Sequence, residues 1–299
     1  MFLHSSNICF SLILKGHIIA IIMIRALLSI WINDSKSAFI PFSFRYSIIL
    51  LIKLSLLNKL ESKSLKVFLT LSYSTLNILN SLRNINQKCI AIIITSDKCY
   101  KNIEVKRGYK ENDELGGFDP YSASKGAAEI VFKSYFKSYF SKKNCKVRIA
   151  TARAGNVIGG GDWASDRLIP DCIRAWSKSK IVNLRNPKST RPWQHVLEPL
   201  SGYMWLAKSL RENVSLSGQS FNFGPQTKKN YSVKEVAKLM SKKWKNVRWK
   251  IHKNKKNNFY ESNLLRLNCN KANKLLKWKS TLDFKKTVDF TSEWYRSYY

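Results

Sequence analysis

Glycine and acidic residues are nearly missing from the first part of this 299-residue sequence. Of twelve glycines only Gly16 precedes Gly108, and of nineteen acidic residues only Asp34 and Glu61 precede position 91. A Gly-rich phosphate-cradling turn therefore has no place there, since such turns need several glycines within a few residues. Paired cysteines are also lacking. The six thiols, at positions 9, 89, 99, 145, 172 and 269, form no C-x-x-C pair and no metal-ligand spacing. That excludes a disulfide-framed secreted domain and a zinc module, and the thiols read as reduced groups of a cytoplasmic protein. Seven prolines and twelve glycines are too few for a collagen-like or low-complexity chain. Aromatic residues are plentiful: nine Trp, thirteen Tyr and fifteen Phe exclude disorder for the bulk of the chain. The length allows one large domain or two smaller ones.

The formal net charge is +33. It invites a polyanion reading, most sharply at Lys242-Lys243-Trp244-Lys245-Asn246-Val247-Arg248-Trp249-Lys250, where cations alternate with two indoles that would stack on bases. The excess, however, is 38 Lys against 14 Arg, spread along the whole chain with Asn and Ile. Arginine is the better reader of phosphates and bases. A compositional bias of the kind A/T-rich coding DNA produces accounts for the charge more simply, so nucleic acid is the lesser expectation.

The sequence divides into unlike parts. Residues 1–66 are an atypical hydrophobic segment of Ile, Leu, Ser, Phe and Asn. Within it 8–32 nearly supplies the roughly 20 apolar residues of a membrane span, but Lys15 and Arg25 interrupt it, at a cost of a few kcal/mol for a cation inside the bilayer. A second run, 47–57, is too short and carries Lys53. Membrane attachment is open only through 8–57, and no small-residue cleavage site follows. From Val67 the pattern changes. Leu76, Leu79 and Leu82 have helical spacing, and a helix is expected over 68–83. Cys89-Ile90-Ala91-Ile92-Ile93-Ile94 reads as a strand buried on both faces. A helix is expected over 121–140, a second buried strand over Val147–Ala152, and further helices around 168–178, 198–211, 233–243, 270–277 and 283–298. The alternation predicts an α/β fold with a doubly wound, Rossmann-like parallel sheet. Residues 67–160 would form its catalytic part, and 161–299 a smaller α/β part serving mainly the substrate.

Chemistry gathers at the strand ends. Asp119-Pro120-Tyr121-Ser122-Ala123-Ser124-Lys125 sets Tyr121 and Lys125 four apart at a helix start, hence on one face. A phenol is a poor base at neutral pH, and a neighbouring ammonium favours its phenolate, so the pair suits deprotonation of a hydroxyl. Alone, such a pair in a lysine-rich chain is most often a solvated helix face. Here strand 89–94 runs into Thr95-Ser96-Asp97-Lys98-Cys99-Tyr100, with a hydroxyl, a carboxyl and an amine at a carboxyl end, where open α/β sheets bind ligands. The next strand ends in Arg153-Ala154-Gly155-Asn156-Val157-Ile158-Gly159-Gly160-Gly161-Asp162-Trp163. That loop is either a plain turn or a place where glycines admit a ligand closely. Arg191 in Ser189-Thr190-Arg191-Pro192-Trp193-Gln194-His195 suits a diphosphate. His195 reads as structural rather than catalytic.

These stretches, with Gly116–Gly126, Asp166–Asp171, Leu184-Arg185-Asn186-Pro187 to Gly202, Phe221–Pro225 and Glu261–Tyr295, resemble the CDP-glucose 4,6-dehydratases. Those are extended short-chain dehydrogenase/reductases of the nucleotide-sugar dehydratase group. The resemblance spans about 67–299 and is weaker over 226–258. Related dehydratases acting on other nucleotide sugars usually carry Glu at the position of Lys98. The resemblance implies a cytoplasmic lyase of dideoxyhexose and O-antigen synthesis, a bound NAD, CDP-glucose as substrate and a homodimer built partly on the helix after Tyr121. It implies that Tyr121, assisted by Lys125 and Ser96, handles the proton of the sugar's 4-hydroxyl, with Tyr121 and Lys125 also facing the cofactor. Lys98 would remove the C5 proton and Asp97 would protonate the departing 6-hydroxyl. Asn156, Arg167, Leu168 and Arg191 would lie on the nucleotide-sugar side.

The N-terminal part departs from that pattern. The group opens with a strand, a G-x-x-G-x-x-G turn and a helix holding the pyrophosphate, with an acidic residue about 20 positions later for the ribose. Gly16 alone does not make that turn, and Leu71 and Ser74 replace an Asn and a Gly of the group. Residues 1–65 are expected to come from a shifted reading frame or displaced start, because glycines and acids vanish together rather than thinning gradually. The alternative to an enzyme is a membrane-attached or polyanion-binding remnant of the same group.

Overall fold

The computed structural model describes residues 10–14, 17–23, 63–165, 167–184, 186–226, 229–244, 247–251 and 264–299. Among the described residues the main sheet has five strands in the order β1-β2-β3-β4-β9. These are β1 (Phe10–Leu14), β2 (His17–Met23), β3 (Cys89–Ile94), β4 (Val147–Ala154) and β9 (Ser220–Phe223). Strands β2, β3, β4 and β9 run parallel, and β1 is antiparallel to β2.

Strand β3 is all buried, as its uninterrupted apolar run requires in a sheet covered on both faces. Its odd and even residues face opposite layers. Ala91 and Ile93 pack with Ile149 under Leu79 and Leu82 of helix α1 (Lys63–Leu82) and Phe132 of helix α2 (Pro120–Tyr135). Ile90, Ile92 and Ile94 pack with Ala150, Ala152, Phe221 and Phe223 against Leu206 and Leu210 of another helix, Leu197–Glu212. Helices on both faces of a mostly parallel sheet make this the expected Rossmann-like α/β fold.

A second core lies outside the sheet. Helix α3 (Leu168–Trp176), strand β6 (Ile181–Leu184), helix α5 (Val233–Ser241) and helix α6 (Phe284–Tyr298) bury Ile173, Trp176, Leu184, Val236, Met240 and Tyr295 together there, while helix α4 (Leu197–Glu212) packs on the sheet. Short pairs complete it: β5 (Val157–Ile158) with β8 (Gln194–His195), β7 (Thr190–Arg191) with β10 (Tyr231–Ser232), and β6 with β11 (Arg248–Ile251).

Several boundaries differ from expectation. Helix α1 starts earlier, at Lys63, and α2 passes at Phe136 into a wider π-helical turn through Phe140. Strand β4 runs two residues further, to Ala154, which carries Arg153 into the sheet. The segment expected as a helix over 270–277 is mainly one π-helical turn, Ala272–Leu276. The apolar run 8–32 contains β1 and β2, and β2 pairs along its length with β3, from Ile18 beside Cys89 to Met23 beside Ile94. Among the described residues no helix is long and apolar enough to cross a membrane. The rest of 1–62, including the run 47–57, lies outside the described residues.

Candidate active site

Strand β3 delivers Thr95 and then a single 3₁₀ turn, Asp97–Cys99. Ser96 caps that turn: its Oγ accepts from the Lys98 backbone N–H at 3.2 Å and donates to Asp97 Oδ1 at 2.9 Å. Asp97 is 3% exposed, and its Oδ2 is buried without a hydrogen-bond partner. Burial pushes its carboxyl above the usual carboxylate range, against the opposing pull of Lys98, the Ser96 hydrogen bond and Arg191. A buried carboxyl that holds its proton more tightly than an exposed one, with one oxygen unengaged, has the chemistry of a general acid.

Helix α2 brings the second group of residues. Asp119 caps it, accepting from Ser122 N at 2.9 Å and Ser122 Oγ at 2.6 Å, with Pro120 in the first turn. Lys125 is buried, with its Nζ 5.7 Å from the centroid of the half-buried Tyr121 ring. The helix start lies against the 3₁₀ turn because small residues permit it. A Cβ on Gly126 would sit 3.2 Å from Gly116 N and 3.4 Å from Cys99 O. The Gly116 N–H donates to that same Cys99 carbonyl at 2.9 Å. Lys98 lines a crevice with Gly117, Phe118, Asp119 and Ser122, at the start of the Tyr121 helix. Ser96, Asp97, Lys98, Tyr121 and Lys125 are thus gathered between the end of β3 and the start of α2.

A scan against family models matches residues 60–291 to the family described as GDP-mannose 4,6 dehydratase. The chain belongs to this dehydratase family. It is 38% identical over 252 residues to CDP-glucose 4,6-dehydratase of Salmonella typhimurium, covering 83% of this chain and 68% of the relative. It is 24% identical over 236 residues to UDP-glucose 4-epimerase of Mycoplasma pneumoniae, covering 75% and 68%. Among solved structures, dTDP-glucose 4,6-dehydratase of Bacillus anthracis, in complex with NAD, superposes with a TM-score of 0.66 at 17% identity, over 91% of this chain and 83% of that one.

On the other side of Asp97 this dehydratase-family chain sets Gly155, whose added Cβ would come within 3.2 Å of Asp97 Oδ2 and 3.3 Å of Pro192 Cγ. Asn156 follows, its carbonyl accepting from Gln194 N at 3.1 Å. Arg191 is buried, its Nη1 donating to the Thr190 carbonyl at 2.8 Å, and its charge reaches Asp97. Asn156 and Arg191 therefore border the acid. Arg167 and Leu168 stand at the start of α3, where Arg167 pairs with Asp162 at 2.9 Å and Leu168 packs on the second core.

One reading of the sequence is corrected. The glycine run does not open onto a ligand: a Cβ on Gly159 would come within 2.7 Å of Val196 Cγ1, and one on Gly160 within 2.1 Å of the Trp294 ring. Protein side chains take the space the glycines leave. In the basic stretch the half-buried Trp244 and Trp249 pack against the second core. His195, expected to be structural, packs inside the fold. It is buried against Phe290, and burial lowers its imidazole pKa more than Glu198 raises it.

The sequence reading missed Glu129 and Arg153, a fully buried ion pair at 2.6 Å directly behind the site. Its signals were a carboxylate two helical turns after Tyr121 and a cation inside the apolar strand Val147–Ala154.

Proposed function

We propose that the chain catalyses the NAD-dependent 4,6-dehydration of CDP-glucose to the 4-dehydro-6-deoxy sugar. The observation that carries this reading is the buried acid with an unengaged oxygen, Asp97, one residue from an amine and against the start of the Tyr121–Lys125 helix. Tyr121 and Lys125 would hold the nicotinamide end of NAD. Their helix packs against the turn that carries the buried, unengaged Asp97 oxygen, which fits a redox group and a hydroxyl-bearing substrate meeting there. The pyrophosphate end has less to rest on. β1 and β2 are separated by only two residues, too few for a helix, and no glycine stands between β2 and Gly108.

A bound nicotinamide would supply the hydride acceptor for C4 of the sugar and the hydride donor for C6. Tyr121 receives the proton of the 4-hydroxyl, with Ser96 and Lys125 assisting. The resulting 4-ketone acidifies C5, whose proton passes to Lys98. Asp97 gives its proton to the 6-oxygen, which departs as water, and the Lys98 proton returns to C5. Each residue suits its step: a carboxyl whose pKa burial raises meets the poor leaving group, and an amine beside it takes a carbon acid's proton. Arg191, Asn156, Arg167 and Leu168 would bind the nucleotide-sugar side, Arg191 being the best-placed cation for the diphosphate. The protein would act in the cytoplasm as a homodimer.

Lys98→Met tests the assignment. With NAD and CDP-glucose supplied, it is expected to oxidise C4 reversibly, seen as absorbance of reduced nicotinamide, and to release no dehydrated product. Dehydration by Lys98→Met at the wild-type rate would overturn the assignment.

A further inference from the structure

We infer that Glu129, held by Arg153, is a positioning residue that fixes the Ser96–Lys98 turn against the Tyr121 helix. The inference rests on the dehydratase reading above. Glu129 follows Lys125 by four residues and Tyr121 by eight on α2, so all three share one side of the helix. Both partners of the Glu129–Arg153 pair have fully buried side chains. The Glu129 carboxylate accepts from Thr95 Oγ1, from Thr151 Oγ1 at 3.0 Å, from Ser220 Oγ at 3.2 Å, and from Arg153 Nε and Nη2 at 2.9 and 2.6 Å. Arg153 Nη1 in turn donates to Tyr100 OH at 2.7 Å, and Tyr100 OH donates to Asn222 Oδ1 at 2.7 Å.

Thr95 immediately precedes Ser96, and Tyr100 immediately follows Cys99, the last residue of the turn. One end of the turn is therefore tied to Glu129 and the other to Arg153, while Glu129 itself belongs to the helix that carries Tyr121. A buried ion pair contributes little net stability compared with apolar residues of the same volume. What it adds is direction: a carboxylate with five donors and a planar guanidinium fix the orientation of everything bonded to them. Proton transfers between Asp97, Lys98, Tyr121 and one sugar ring need that orientation, since a displacement of about 1 Å costs roughly a hundredfold in rate.

Site-resolved alkylation of the full-length protein tests this without substrate or cofactor. Cys99, inside the turn, is fully buried; Cys172 lies in the second core and Cys89 at the start of β3, both also buried. Thr95→Val removes one bond to Glu129 and leaves the ion pair; Tyr100→Phe removes the bonds at the other end. Each is expected to speed Cys99 alkylation about tenfold, the effect of one lost buried hydrogen bond on a local opening. Cys89 and Cys172 should react at wild-type rates, and Thr95→Ser should restore protection. With NAD saturating, Thr95→Val should lower kcat about tenfold and leave the KM for CDP-glucose within about twofold. Cys99 alkylation at the wild-type rate would overturn the inference. So would joint acceleration of Cys99 and Cys172, which would make the pair a support of the whole fold, or an unchanged kcat. Alkylation requires no turnover, so failure of the dehydratase reading would show separately, in wild-type dehydration by Lys98→Met.

Discussion

Neutralising one member of the buried pair has a calculable consequence. Glu129→Gln keeps the shape of the side chain but removes the charge facing Arg153, whose side chain is fully buried. A cation left uncompensated at such depth costs about 3–5 kcal/mol. Against a total stability of about 5–15 kcal/mol for a folded domain, that is a large fraction. Removing both charges, in Glu129→Gln with Arg153→Met, should recover much of the loss, because Tyr100 OH still donates to Asn222 and neither position leaves a charge unpaired. The assay is urea unfolding followed by circular dichroism and tryptophan fluorescence, with the double-mutant cycle evaluated at constant m. The pH dependence has a definite sign. Burial raises the Glu129 carboxyl, but the Arg153 charge and the hydrogen bonds outweigh it, so its folded pKa lies below the ordinary glutamate value. Its contribution is therefore complete above the unfolded-state pKa and is lost as pH falls through the depressed folded one. An additive cycle, or Glu129→Gln within about 1 kcal/mol of wild type, would refute the reasoning.

Asp97 has the opposite sign: burial raises its pKa, so the folded state holds its proton over a window above the unfolded value, and stability falls as pH rises through that window. Asp97→Asn should accordingly be more stable than wild type at neutral pH, with the gain vanishing in acid, as thermal unfolding at several pH values will show. Gly160→Ala should destabilise by about 1–3 kcal/mol and alter tryptophan emission, because the new methyl would overlap the Trp294 ring. Isothermal titration should find NAD binding weaker than micromolar. Without a Gly-rich turn several charge-assisted hydrogen bonds to the pyrophosphate are lost, at about 1.5–3 kcal/mol each.

The part of the fold around β3 and α2 was legible because its signals are local. Six apolar residues in a row made β3, Asp119-Pro120 marked the start of α2, and the strand end located Ser96, Asp97 and Lys98. What stayed hidden depends on partners far along the chain. The glycines of 159–161 show that a Cβ is absent, and only the fold shows that Val196 and Trp294 take the space. Glu129 and Arg153 are 24 residues apart, and Tyr100 and Asn222 are 122 apart. No periodicity connects them. The segment 17–23 was ambiguous for another reason: an apolar run suits a strand buried in a parallel sheet as well as part of a membrane span.

The fate of the hydrogen on C4 tests the central claim most directly. The full-length protein would be incubated with millimolar NAD and CDP-glucose deuterated at C4, and the product read by mass spectrometry and NMR. A product that has lost one water and carries the deuterium on C6 is expected. No dehydrated product, or one whose C6 hydrogen comes from solvent, would contradict the account.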